Sequence, residues 1–546
     1  MPHPDPADLV ITGAPVYTVD AARSWSDAVA VRRGEIVALG SAGVRELTGS
    51  QTRVVDAHGG LVLPGFQDAH VHPPFAGRNR IRVDLSGLEG RPAYLDRIAE
   101  YAAANPDDEW IVGGGWAMEY FPGGVPHRDD LDAIVPNRPV FLFNRDVHGA
   151  WVNSAALRVA GVTKDTPDPG DGRYERDPVT GEPTGALHEG AAYAMHDNLV
   201  PPLDLAGWQL ALLDAQRHLH GFGITGWQDA WVTSSTQAAY QGLADSGRLT
   251  ARVVGALWWD RHRGPEQISR LVERRATGTG GAFRPTSVKI MVDGVLENQT
   301  GAMLEPYCLA DGHAHGTNVG LSYVEREALA VAVTELDALG FQVHLHAIGD
   351  RAVRESLDAI AAARAANGPN DHRHHIAHIQ VVQPADLPRF RDLGVVVNCQ
   401  AYWAQSEPQM DDLTLPILGP ERARMQYPFG DLHRSGALLA MGSDWPVTTP
   451  NPLEQIEVAV RRIDPENRHK DAFLPEQVLT LPVAIAAFTA GSAYVNHDEH
   501  AGSLRVGARA DLAVLDRNLF DPDAGLPSDA QVTHTIAGGA LVYEAS

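Results

Sequence analysis

The feature that most constrains the fold is an alternation of strand-like and helical runs through the middle of the chain. Strand-like runs fall at residues 224–227, 252–257, 287–292, 342–346, 374–378, 395–398 and 438–442. Helical patterns lie between or after them at 323–339, 350–367, 384–393 and around 452–462. Strands separated by helices pair in parallel, because each helix carries the chain back to the start of the sheet. An eighth strand ends at His70, where residues 61–72 read as one short apolar strand running into two histidines. Eight such units predict an α/β fold, a TIM-type (β/α)8 barrel with its active site at the C-terminal ends of the strands.

Two regions fall outside the alternation. Residues 73–205 are too long for one strand-to-helix connection and contain Pro/Gly/Asp-rich turns such as 167–172. They read as an insertion covering the barrel mouth. Both ends of the chain carry short strand-like runs, at 8–12, 28–31, 36–39, 54–56 and 61–63, and again at 510–516, 532–536 and 540–543. Neither end has enough strands to bury a core comfortably alone. Residues 1–63 and 497–546 are therefore expected to share one composite β-sandwich domain beside a 64–496 barrel domain.

Composition narrows the partners. The 546 residues carry 44 basic and 69 acidic side chains, a net charge of −25, which disfavours nucleic acid and anionic membranes. Only Cys308 and Cys399 are present, so a disulfide framework is not expected and a reducing cytoplasm fits. Residues 1–6 lack the basic and apolar regions of a signal peptide. No apolar run is long enough to span a bilayer.

The chemistry lies where polar residues interrupt apolar strands. On a strand, residues i and i+2 share a side, so His70 and His72 can aim both rings at one point, as metal ligation requires. Lys289, His346, His378 and Asp444 also sit on or just beyond strand ends. Each has a plain structural explanation alone: a hydrogen-bonded rim histidine, a solvated turn, a snorkelling lysine, a turn-capping aspartate. Six such residues on one rim favour a single metal site. A charged lysine inside a barrel is costly unless paired or modified. Carbamylation by carbon dioxide would make Lys289 a carboxylate-like bridge between two cations. The pair His218/His220 falls at a predicted helix end, where i and i+2 point apart, and His313/His315 falls in a glycine-containing loop.

These motifs resemble the metal-dependent amidohydrolase superfamily, in particular the branch that includes N-substituted formamide deformylases. The matching pieces are Pro64 to His72, Lys289 to Gly294, His346 to Arg351, His375 to His378 and Gly442 to Val447. Residues 502–516 are similar to the family's return into its sandwich domain. The resemblance implies that His70, His72 and Asp444 hold one metal and His346 and His378 the other, with carbamylated Lys289 and a hydroxide between them. It implies two divalent ions, zinc foremost, with Asp444 shuttling the proton to a leaving amine. His344 shares a strand face with His346 and reads as a supporting partner or an alternative ligand. His148, in a segment common in this branch, is a candidate contact to substrate or oxyanion, balanced against a role in organising the lid. Glu189, Trp116 and Trp403 are further substrate-binding candidates, with Trp151 and Trp445 suggesting an aromatic wall. The expected reaction is hydrolysis of a non-peptide C–N bond in a small amide or formamide, and family analogy implies a homodimer. The rivals are a mononuclear deaminase, a hydrolase of a carbamate, ester or lactone, and a metal-free binding barrel.

Overall fold

The computed structural model describes residues 5–308 and 316–545. The His313/His315 pair lies outside the described residues. The central sheet holds eight parallel strands in chain order: β1 Phe66–Val71, β2 Ile224–Val232, β3 Arg252–Trp258, β4 Phe283–Met291, β5 Gln342–Ala347, β6 His375–His378, β7 Val396–Cys399 and β8 Leu439–Met441. The ladder runs unbroken from β1 to β8, and backbone bonds just past β8 close the remaining seam. Asp444 N–H donates to His70 O at 2.7 Å, and His72 N–H donates to Trp445 O at 2.9 Å. Gly442 permits this approach, since a Cβ there would lie 2.5 Å from His70 N. The result is a nearly closed barrel, as expected.

The helices match the periodicity closely. They run Arg326–Ala338, Asp350–Asn367, Leu387–Leu393 after a 3-10 turn at Pro384–Asp386, and Pro452–Arg461. Val288, Ile290, Val343 and Leu345 join the apolar layer under these helices. The period of two then turns Ser287, Lys289, His344 and His346 into the barrel, where all four are buried. Branched apolar side chains usually fill such an interior. This one is polar.

Residues 61–72 form two strands where the sequence read as one. Leu61–Pro64 belongs to a six-stranded sheet with the C-terminal strands, pairing antiparallel with Leu512–Leu515. One residue later the chain is in the barrel: Gly65 N–H bonds Asp511 O, and Phe66 N–H bonds Gly223 O. Val62 points into the core between this sheet and a four-stranded one built from residues 9–56, while Leu61 and Leu63 pack on the barrel. The two chain ends thus meet in one sandwich.

The stretch 73–205 is a folded layer with its own mixed six-stranded sheet, a feature the sequence reading did not resolve. The sheet order is Gly172–Arg176, Pro183–Glu189, Gly149–Val152, Val140–Asn144, Ile111–Trp116, Val83–Asp84. One face packs Val112, Phe141 and Phe143 with Phe75 and Val447 near the barrel mouth; the other buries Ile111, Trp116, Leu142 and Trp151 under the helix Gly90–Ala104. Cys308 and Cys399 are buried and unbridged. Among the described residues, no helix is long and apolar enough to cross a membrane.

Candidate metal centre

One pocket at the C-terminal rim brings His70, His72, Lys289, His346, His378 and Asp444 together, and His148 also lines it, its ring 5.4 Å from that of His346. His70 and His72 reach it from the end of β1, Lys289 from β4, His346 from β5, His378 from β6 and Asp444 from the turn after β8. Two nitrogens converge on one oxygen: His70 Nε2 and His72 Nε2 each lie 3.1 Å from Asp444 Oδ1. His378 Nδ1 lies 3.9 Å from Asp444 Oδ2, and the His346 and His378 rings are 4.4 Å apart.

The hydrogen bonds below the rim determine which ring nitrogens carry protons. Gln342 Nε2 donates to the carbonyls of Arg373 and Val495, at 2.9 and 2.7 Å, and carbonyls can only accept. Gln342 Oε1 is therefore the acceptor for Gln228 Nε2 at 3.0 Å, which makes Gln228 Oε1 an acceptor too. That oxygen takes the N–H groups of His344 Nδ1 at 2.7 Å and His375 Nε2 at 3.0 Å. Burial holds both imidazoles neutral, pushing them well below their usual range. His344 Nε2 must then accept, and it accepts from His70 Nδ1–H at 2.8 Å. His70 is left with a bare lone pair on Nε2, facing a carboxylate oxygen at 3.1 Å. Two lone pairs repel unless a cation lies between them. His72 Nδ1 is also buried without a hydrogen-bond partner among the described residues, while His346 Nδ1 faces Asp293 Oδ1 at 3.3 Å. The donor set therefore fits a divalent metal.

The charges around the pocket are set by its neighbours. Burial pulls Lys289 down to about 7, opposed by Asp444, so part of it is an uncharged amine at neutral pH. Burial opposes ionisation of Asp444, but the His72 hydrogen bond and the fields of His378 and Lys289 outweigh it and hold the carboxyl below its ordinary range. Burial would neutralise His148, yet Glu189 Oε2 at 2.9 Å from its Nδ1 raises it to about 9. His378, Asp444 and Glu189 have φ of +74°, +60° and +52°, in the left-handed region that non-glycine residues occupy at a cost of about 1–3 kcal/mol. Backbone strain of the same kind occurs elsewhere in the chain, at Arg33 and Leu474 for example, so it is not peculiar to the site.

Not every candidate reaches the site. Trp116 packs in the insertion core against Phe121 and Trp151, and its Nε1–H donates to Leu142 O. Trp151 is in the same core, and Trp445 packs on His218. Glu189 is fully buried and holds His148 and Thr300 Oγ1 without lining the pocket. Trp403 does line an adjoining lobe, with Tyr427, Asp146 and Glu297. The aromatic wall at the metal pocket is Phe75, Tyr193, Trp231 and Trp258, none of them chosen from sequence. Two more buried carboxylates were missed: Asp68, which accepts from His70 N, Ser443 N and Ser443 Oγ, and Asp293, which accepts from Ala302, Ile348 and Gly349 N. Both sit inside the quoted motifs, so only their acceptor roles were hidden. His218 and His220 end a helix, as expected, and His220 bonds Ile224 O and Thr250 Oγ1.

Known proteins resemble this chain over nearly its full length. The chain is 32% identical over 557 aligned residues to Protein LONG AFTER FAR-RED 3 of Arabidopsis thaliana, covering 98% of this chain and 92% of that one. It is 27% identical to an N-substituted formamide deformylase of Arthrobacter pascens, covering 98% of each. An uncharacterised metal-dependent hydrolase from Pyrococcus furiosus superposes with a TM-score of 0.71 at 26% identity, covering 94% of this chain and 100% of the other. A profile described as "Amidohydrolase family" matches residues 53–543. Nearly the whole chain is matched, and it belongs to the amidohydrolase family.

Proposed function

We propose that this amidohydrolase cleaves a C–N bond in a small-molecule amide or N-substituted formamide. His70, His72 and Asp444 would hold one divalent ion, His346 and His378 a second, with Lys289 bridging as its carbamate. Imidazole and carboxylate donors suit zinc, and the partly uncharged Lys289 amine is the form that adds carbon dioxide. Bound metal supplies a water acidified towards neutrality and a polarised scissile carbonyl. Asp444, held ionised, takes the proton of the attacking water and delivers it to the leaving amine. His148 uses Nδ1 for Glu189, so its Nε2–H is the ring's remaining donor to the pocket. A cationic N–H there stabilises charge growing on the carbonyl oxygen. We further expect a cytoplasmic enzyme, and a homodimer by analogy.

The observation that carries this reading is the lone pair of His70 Nε2 held against Asp444. A second reading, a mononuclear hydrolase with free Lys289, draws support from a different fact. Among the described residues, only His70, His72 and Asp444 form a tight ligand group, with atoms within 4.8 Å of one another. Metal analysis with intact-mass measurement separates the two. Two equivalents and one added carboxyl group favour the first reading; one equivalent without the addition favours the second. Asp444→Asn should retain the far-ultraviolet circular dichroism spectrum and lose turnover by at least about 100-fold on N-formyl and N-acyl compounds. Near-normal turnover would remove Asp444 from the proton path.

A further inference from the structure

Beside the metal pocket lies a second cavity whose lining includes Arg78, His196, Asp197, Trp208 and Asp229. It meets the metal pocket at His72, Phe75, Trp231 and Trp258, which line both. Arg78 belongs to the helix Pro73–Arg80, which starts immediately after His72, and it is only 4% exposed. Its Nη1 donates to neutral His196 Nε2 at 2.8 Å, and its guanidinium lies over the Phe75 ring at 4.4 Å. Among the described residues, no carboxylate forms an ion pair with it, and Nε and Nη2 have no acceptor. Trp208 Nε1–H in the same cavity wall also lacks an acceptor.

A buried guanidinium without an anion is expensive, and an unsatisfied buried polar group calls for an explanation such as a bound water, ion or ligand. Burial and nearby Arg82 pull its pKa down to about 9, and Asp197 offsets little of this. The cavity's own carboxylates do not fill the gap. Asp197 is occupied by His196 Nδ1 at 2.8 Å and its side chain is 66% exposed. Asp229 Oδ1 accepts Trp231 N–H at 2.9 Å, and its buried Oδ2, without a hydrogen-bond partner among the described residues, forms no ion pair with Arg78. Guanidinium is suited to a carboxylate, which it can grip through two parallel N–H groups.

We infer that this cavity is a substrate subsite for a carboxylate arm, gripped by Arg78 and Trp208, with the connecting part of the substrate packed between Trp231, Trp258 and Phe75. The inference rests on the proposed hydrolysis at the metal pocket and names its substrate class: N-formyl or N-acyl compounds carrying an acid group beyond an apolar spacer.

Two measurements test it separately. In thermal-shift titrations, 3-phenylpropionate should stabilise the wild type more than 3-phenylpropionamide. Arg78→Met should abolish that difference, Arg78→Lys should keep part of it, and Trp208→Phe, which removes only the indole N–H, should reduce it. On matched N-formyl substrates with an acid or a neutral amide arm, Arg78→Met should lower the acid-over-amide ratio of kcat/KM by roughly 10- to 100-fold, mostly through KM. Equal shifts for acid and amide in the wild type, or none for either, would mean that the cavity holds water only and would overturn the subsite. So would an undiminished ratio in folded Arg78→Met. Loss of the hydrolase reading has a different signature: metal-loaded wild type that turns over no N-acyl compound, while the carboxylate titration still reports on Arg78.

Discussion

His148 keeps its charge because Glu189 faces it where water does not reach. The His148 pKa, raised to about 9, lies above the ordinary 6.5, and that of Glu189, lowered to about 2, lies below 4.5. A raised histidine contributes stability that is complete below pH 6.5 and fades as pH climbs through 9. A depressed glutamate contributes stability that is complete above pH 4.5 and fades as pH falls through 2. The pair is therefore strongest between those two ordinary values. In Glu189→Gln, burial acts on His148 with far less opposition and its pKa falls, so the alkaline limb of kcat/KM should move to lower pH. A pH–rate profile checks this; an unmoved limb would show that the His148 charge does not serve the reaction. Much at this scale was legible from spacing. His70, His72, Lys289, His346, His378 and Asp444 stand on predicted strand ends, and they line one pocket. The role of Glu189 was not, because its contact with His148 crosses 41 residues and depends on a positive-φ turn.

At the scale of elements, the barrel interior is a set of strands wired to one another by side chains. Gln228 on β2, His344 on β5 and His375 on β6 share one amide oxygen, and Asn398 on β7 donates to His375 Nδ1 at 3.0 Å and to Ala69 O on β1 at 2.9 Å. The network holds His70 as the Nδ1–H tautomer and so keeps its Nε2 free for metal. Gln228→Met preserves volume but removes the shared acceptor. We expect metal affinity to fall by roughly 10- to 100-fold, measured by chelator competition. Gln216→Met is the control, since Gln216 is a buried amide that bonds, among the described residues, Arg248 O and the N–H groups of Thr250 and Ala251, away from the pocket. It should lower Tm and leave metal affinity alone. Equal affinity losses in both variants would reduce the network to simple stability. Strand positions were readable from the alternation, and His344 was readable as a neighbour of His346. Gln228, His375 and Asn398 could not be connected, since the link requires strand register and a proton count. The insertion strands escaped notice for another reason: glycine-rich segments such as Ile111–Trp116 lack the alternation that marks a half-buried strand.

At the scale of the whole molecule, the metal pocket depends on the far end of the chain. Strand Leu61–Pro64 enters the barrel through Gly65, and its antiparallel neighbour is Leu512–Leu515, followed by Val532–Ala537 and Ala540–Glu544. Without these three strands, Leu61–Pro64 keeps only a single bridge to the two-residue strand Val16–Tyr17. Buried Leu63 would lose its partner Ala513, and the hydrogen bond from Gly65 N–H to Asp511 O that fixes the start of β1 would lose its anchor. Fully burying side chains of this kind is worth about 1.5–3 kcal/mol each, and a typical domain has only about 5–15 kcal/mol in all. A chain ending at residue 510 should therefore fail to accumulate as soluble monomer, although every proposed metal ligand lies before the cut. Size-exclusion chromatography with metal analysis of the soluble fraction tests this. A soluble, metal-loaded truncation would show that the barrel holds His70 and His72 in place without the sandwich, and that β1 is set by β2 and β8 alone.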